Sequence, residues 1–343
     1  MKYVHGGDIY SNPQLVDFSA NINPLGTPGE VVVAIQKAAE HVAPYPDYSC
    51  RRLRNAIAQK EKVDAKKIIC GNGAADLIYR FVMAIRPQKA LLAVPCFLEY
   101  EQALRCVGCQ VEYYQLHPGT FLLEEAYLDY LENSIDLICL CTPNNPTGIS
   151  IPEHLFKKII KKCKEKNIAI LLDECFYDFV EPQKRFQPYG DRESYDQMLT
   201  LRAFTKMYGL AGIRLGYGFC ENEDLIEKMQ LCGPPWNVST LAQEAGIAAL
   251  ELDSYPKMVR TFVREQKKYL LGELQQMGIR VWKTDANYIF FQTRKQLKED
   301  LIQEGIMIRD CSNYVGLEDG YYRIAIMREN HNKMLIQALK KIH

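Results

Sequence analysis

The chain lacks an excess of charge of either sign: 42 lysines and arginines stand against 42 aspartates and glutamates in 343 residues. That balance argues against a general nucleic-acid or anionic-membrane binder, which needs a basic excess. It leaves room for a small anionic ligand, because a handful of local charges can hold one. Cysteine is too sparse for a disulfide scaffold, since twelve residues fall well under the ~8–10% of such chains. Several sit inside apolar runs (Cys70, Cys139, Cys141, Cys220) and read as buried reduced thiols. Cys106 and Cys109 form a single CxxC with no second pair or nearby histidine couple to complete a zinc site, so no metal is expected. No apolar run approaches the ~18 residues of a membrane span. The opening MKYVHGGDIYSNPQ has no apolar core of a signal peptide. Repeats and low-complexity linkers are also missing, and a cytoplasmic, reducing home is expected.

What is present is a long alternation. From about Tyr45 to Ala249, short runs that are apolar throughout alternate with amphipathic segments. The runs are 66–70, 90–94, 137–141, 168–172, 198–204 and 215–220. Such a pattern predicts a doubly wound α/β unit with a mostly parallel sheet covered on both faces. After Ala249 a long helical stretch leads into strand-like IRVWKT, NYIFFQT, GIMIRD and YYRIAIM, which suggests a smaller α+β unit. Residues 40–249 are therefore read as the large domain, and 1–39 with 250–343 as the small one.

Four segments carry chemistry. CGNGAADLIYR turns from strand to helix, so backbone N–H groups near Gly73 and Ala74 could hold a phosphate. It fails as a dinucleotide fingerprint, because Asp76 stands where the third glycine belongs. LICLCTPNNPTG sets an Asn pair in a proline-bounded turn at a strand's carboxyl end, where ligands bind in such sheets. In IAILLDECFYDF, Asp173 ends an apolar run, and a half-buried carboxylate there demands a donor or cation. In LRAFTKMYGLAGIRLGYG, Lys206 and Arg214 lie in a stretch that reads as packed. A lysine with a lowered pKa can form a Schiff base.

In this order the segments resemble the fold-type-I pyridoxal-phosphate enzymes, the aspartate-aminotransferase-like superfamily. The resemblance implies that Lys206 bonds covalently to pyridoxal 5′-phosphate and that Asp173 pairs with its ring nitrogen. It further implies that Asn145 bonds the ring 3′-oxygen, that Phe97 stacks on the ring, and that Gly73, Ala74, Thr205 and Arg214 serve the cofactor phosphate. Tyr45 is similar to a tyrosine that reaches the phosphate of a neighbouring subunit, so a homodimer with a shared site is implied.

Within the superfamily, the threonine-phosphate decarboxylases of cobalamin biosynthesis and the histidinol-phosphate aminotransferases compete. HGGD, DFSANINPLG, PPWNVSTLAQ and GIMIRDCSNYVGLEDGYYRIAI resemble the decarboxylases more. Phe176 points the same way, since the aminotransferases usually carry a tyrosine there. The resemblance assigns Arg323 to the substrate carboxylate, and Arg309 and His5 to the substrate phosphate. Two positions depart from the pattern: Ala203 stands where many members have Ser or Thr, and Met327-Arg328-Glu329 differs from the expected run. The implied partner is a small phosphorylated amino acid, with neither nucleic acid nor membrane. In this reading Asp173 is the one acid at the site, and the balancing acids lie elsewhere, as in LEEAYLDYLEN.

Overall fold

The computed structural model describes residues 5–132, 134–185, 195–294 and 296–342. All six apolar runs become strands of one seven-stranded sheet: β1 (Ile68–Gly71), β2 (Lys89–Val94), β4 (Leu137–Cys141), β5 (Ala169–Asp173), β6 (Met198–Ala203) and β7 (Gly216–Phe219), with β3 (Gln110–Gln115) added at one edge. The spatial order is β1-β7-β6-β5-β4-β2-β3. The sequence reading missed β3, because its residues are mostly exposed or half-buried and a strand paired on one side only needs no continuous apolar run. Every residue of β4 and β5 is buried, and each apolar side chain so covered contributes about 1.5–3 kcal/mol.

Only β7 runs against its neighbours β1 and β6. An antiparallel neighbour needs no crossover helix. The chain between β6 and β7 can therefore stay at one edge of the sheet, and the residues entering β7 lie beside those leaving β6. Helices α1 (Ala74–Ile85), α2 (Leu98–Cys106) and α3 (Glu153–Lys166) follow β1, β2 and β4, and the single turn α4 (Phe204–Met207) follows β6.

A second, four-stranded sheet has the order β10-β11-β9-β8, from β8 (Arg280–Val281), β9 (Tyr288–Gln292), β10 (Arg309–Asp310) and β11 (Tyr321–Ala325). All its pairs are antiparallel, and Arg309 lies directly opposite Arg323. The amino-terminal Val16–Asp17 pairs in parallel with Ile306–Met307. One apolar core runs from Ile68 and Phe219 of the large sheet, through Val259, Val263, Leu270 and Leu274 of helix α5 (Ser254–Gln276), to Ile289, Phe291 and Ile324 of the small sheet. Both sheets thus rest on shared packing.

The carboxyl ends of β5 and β6 are tied by a buried ion pair. Arg202 Nη2 lies 2.9 Å from Glu174 Oε2, and the guanidinium stacks 3.9 Å from the centre of the Tyr177 ring. Replacing Arg202 by methionine removes the cation from the buried Glu174 carboxylate, which costs about 3–5 kcal/mol. A lowered urea midpoint relative to the parent protein is the expected readout. Arg202 lies in the same segment as Lys206 and Arg214, but the structure separates it from them, because its side chain turns to Glu174.

Candidate active site

The loops at the carboxyl ends of β1, β2, β4, β5 and β6 lie on one edge, and β7 enters from that edge. Asp173, the last residue of β5, is 5% exposed. Its Oδ2 accepts a hydrogen bond from the Tyr100 hydroxyl at 2.6 Å, and its Oδ1 accepts one from the Cys175 backbone N–H at 2.8 Å. Tyr100 has no role in the sequence reading. It lies three residues after Phe97, a spacing that places both on one side of α2, and their rings meet edge to face at 5.6 Å.

Lys206 sits in α4, whose preceding residue, Ala203, is the last of β6. Burial lowers its amine pKa first; Cys175 and Asp173 oppose that, while Arg323 and Arg214 add to it. Its Nζ is 5.6 Å from the centre of the Phe176 ring, which packs edge-on against Tyr288. The DFSANINPLG segment clamps this turn from outside. Asn23 donates its backbone N–H to Lys206 O at 3.1 Å and its side-chain amide to Met207 O at 2.8 Å. Neither Asn23 nor Ser19 was singled out from sequence, since their work is done across more than 180 residues of chain.

Asn145 is buried in the turn after β4, and its Oδ1 accepts a hydrogen bond from Arg323 Nη1. Arg323 Nη2 donates to Ser19 O at 2.8 Å, whereas Nε is buried without a partner among the described residues. The turn itself is held by Asn144, whose amide donates to Pro95 O and Thr147 Oγ1, both at 3.0 Å. The Tyr288 hydroxyl donates to Asn144 O at 2.7 Å. Two elements of the small sheet, β9 and β11, therefore reach the Asn turn of the large one.

Gly73 opens α1 with φ +81°, a left-handed backbone that favours glycine. A Cβ there would lie 2.5 Å from Arg214 Nη2, and one on Gly216 would lie 2.4 Å from Ala74 N. These two glycines let the arginine and the N–H groups of the first turn of α1 share one small space. Arg214 adopts φ +60°, uncommon for a bulky residue, and is exposed, with Nη1 donating to Ala211 O at 3.1 Å. The stretch read as packed is thus mixed: Gly212 and Arg214 are exposed, while Thr205 is buried. Phe97 is half-buried at the start of α2. Tyr45 stands apart from this group on the same chain, 77% exposed and stacked on Trp236 at 4.5 Å.

His5, Arg309 and Arg323 meet the edge from the amino-terminal segment and the small sheet. Arg309 is 5% exposed and donates Nη2 to Asn313 Oδ1 at 2.7 Å. His5 Nε2 lies 3.4 Å from Glu99 Oε1. Glu99 corrects the expectation of a single acid here. It faces Lys206, Asp173 and Arg309, and burial pushes its carboxyl up to about 7. The acids Glu124, Glu125, Asp129 and Glu132 are exposed on the surface.

The donor set fits pyridoxal 5′-phosphate. A partly buried amine of lowered pKa, a hydrogen-bonded carboxylate and a glycine-walled cradle beside an arginine match its carbonyl, ring nitrogen and phosphate. Twelve free cysteines, most of them buried, line no metal cluster among the described residues.

The description aminotransferase class I and II matches residues 13–339. The threonine-phosphate decarboxylase of Salmonella typhimurium is 34% identical over 351 residues, spanning 98% of this chain and 96% of that one. The crystal structure of the histidinol-phosphate aminotransferase from Clostridium acetobutylicum superposes with a TM-score of 0.89 at 31% identity, covering 96% of this chain and 99% of the other. An aspartate aminotransferase from Thermus thermophilus, solved with maleate, superposes with a TM-score of 0.85 at 20% identity over 96% and 92% of the two chains, which shows the common fold.

Proposed function

The chain belongs to the aminotransferase class I and II family, whose cofactor is pyridoxal 5′-phosphate, and within it we propose that the chain decarboxylates L-threonine O-phosphate to (R)-1-amino-2-propanol O-phosphate. The observation that carries this reading is the buried pair Arg309 and Arg323, opposite each other on β10 and β11. Like charges directly opposite on neighbouring strands destabilise a sheet. Two anionic groups on one substrate, a phosphate and a carboxylate, offset that repulsion. The likeness to the Salmonella enzyme supports the same choice.

When bound, the cofactor supplies a conjugated ring that takes up the electron pair left on Cα. The chain's own residues do the rest. Asp173, steadied by Tyr100, holds a proton on the ring nitrogen. Asn145 takes the 3′-oxygen, and it does so alone because Phe176 has no hydroxyl. Gly73, Ala74, Thr205 and Arg214 hold the cofactor phosphate, and Phe97 covers the ring. Arg323 receives the carboxylate as a planar fork, and His5 with Arg309 receives the phosphate. These anchors would orient the substrate so that its Cα–carboxylate bond is the one presented for cleavage. Lys206 returns a proton to Cα after carbon dioxide leaves.

In this proposal residues 40–249 hold the cofactor, and residues 1–39 with 250–343 anchor the substrate. Tyr45 completes the phosphate site of a second copy, so the working form is a homodimer. Tyr45 and Trp236, stacked on each other and exposed, with the exposed Val32, Val33, Val42 and Tyr48 of the same chain, provide apolar side chains available for such pairing. No helix of the described residues is long and apolar enough to cross a membrane.

Histidinol-phosphate amino transfer is the second reading, favoured by the Clostridium likeness. The two separate in one assay set. Carbon dioxide release from L-threonine O-phosphate, with no keto-acid requirement, is expected. Glutamate formation from histidinol phosphate and 2-oxoglutarate, without carbon dioxide from threonine phosphate, overturns the proposal.

A further inference from the structure

Glu99 has no part in the reaction as described, yet it is packed among its groups. It occupies the first turn of α2, two residues after Phe97. One carboxyl oxygen meets His5, and the other, Oε2, is buried without a hydrogen-bond partner among the described residues. The charged groups facing it come from four other elements: His5 from the amino-terminal segment, Asp173 from β5, Lys206 from α4 and Arg309 from β10. A buried acceptor left unmet is costly, and a carboxylate beside a bound phosphate dianion would repel it. Both difficulties disappear when the carboxyl carries a proton. The O–H then donates, and the phosphate accepts.

Resting on the reading that the substrate is a phosphate monoester, we propose that Glu99 is a specificity-determining residue of the phosphate pocket, donating a hydrogen bond from its carboxyl O–H to a phosphate oxygen beside His5 and Arg309. The surroundings favour the protonated form. Burial raises the Glu99 carboxyl to about 7 and Asp173 adds to that rise, while its own backbone N–H, Lys206 and Arg309 pull it down. The His5 imidazole is lowered, by burial first and then by Arg309, so it supplies little positive charge at neutral pH. At pH 8 the free pocket holds Glu99 mostly ionised. Capture of a dianion then draws one proton from solution onto the carboxyl. A monoester whose second pKa is about 6 is already fully ionised at that pH and contributes no proton of its own.

The test is calorimetric titration of the cofactor-loaded protein with ethyl phosphate, which has neither amine nor carboxylate to react. Measurements at pH 8 in two buffers of different ionisation enthalpy give the protons taken up per ligand bound. The parent protein is expected to take up close to one more proton than Glu99→Gln. The amide of that variant donates at any pH, and it binds at least as tightly as the parent. Glu99→Ala, with no donor, binds about tenfold more weakly than Glu99→Gln, the loss expected of a hydrogen bond to a charged group. Equal proton uptake by parent and Glu99→Gln overturns the inference, as does equal affinity of Glu99→Gln and Glu99→Ala. Either result leaves the phosphate-ester reading standing. No binding of ethyl phosphate to the parent overturns both.

Discussion

Lys206→Ala is expected to lower kcat/KM by at least about 10³-fold, because in the proposed reaction this one side chain supplies both the covalent link and the proton returned to Cα. The physical basis is its position. The amine ends a single turn at the mouth of β6, held from behind by Asn23 on the Lys206 and Met207 carbonyls. Burial and two arginines lower its pKa, which raises the fraction present as free amine at neutral pH. The variant should fold, since Lys206 Nζ carries no structural ion pair among those described. The readout is twofold: the visible absorbance of the lysine-bound cofactor disappears, and borohydride no longer traps the cofactor on the chain. Full turnover by Lys206→Ala would falsify every role assigned at this edge of the sheet.

Asp173→Asn should lose about 10²–10⁴-fold in kcat, the range for removing a positioned proton-holding group, while the protein stays folded and binds cofactor. The carboxamide is nearly isosteric: its single oxygen can accept from the Cys175 N–H, and its NH2 can donate to the Tyr100 hydroxyl oxygen in place of the present Tyr100-to-carboxylate bond. It cannot offset a positive charge on a ring nitrogen. Tyr100→Phe provides the control. Its hydroxyl donates to Asp173 and is assigned no contact with the substrate in the proposed reaction, so its removal should cost only about tenfold. If Tyr100→Phe proves as damaging as Asp173→Asn, the hydroxyl itself touches the reacting atoms and the division of labour is wrong. Both variants are read by single-turnover kinetics at saturating cofactor, which separates loss of chemistry from loss of binding.

Much of this was legible without coordinates. The alternation of apolar runs and amphipathic helices marked the large parallel sheet, because strands buried on both faces must be apolar throughout. The order of glycine turn, Asn turn, strand-ending Asp173, Lys206 and Arg214 identified the cofactor chemistry, because each sits at a strand end where local sequence sets the turn. The edge strand β3 escaped, since one exposed flank frees it from that rule.

What the sequence determined by itself, then, was the class of fold and the kind of group it holds. The tertiary structure alone decided which charges share the pocket. Arg202 shares its segment with Lys206 and Arg214, but packing turns it onto Glu174. Glu99 carries no assignment in the sequence, but His5 of the amino-terminal segment and Arg309 of β10 face it in the fold. A count of 42 against 42 is indifferent to both outcomes. Charge acts through distance and burial, and those are set by residues far apart in the chain.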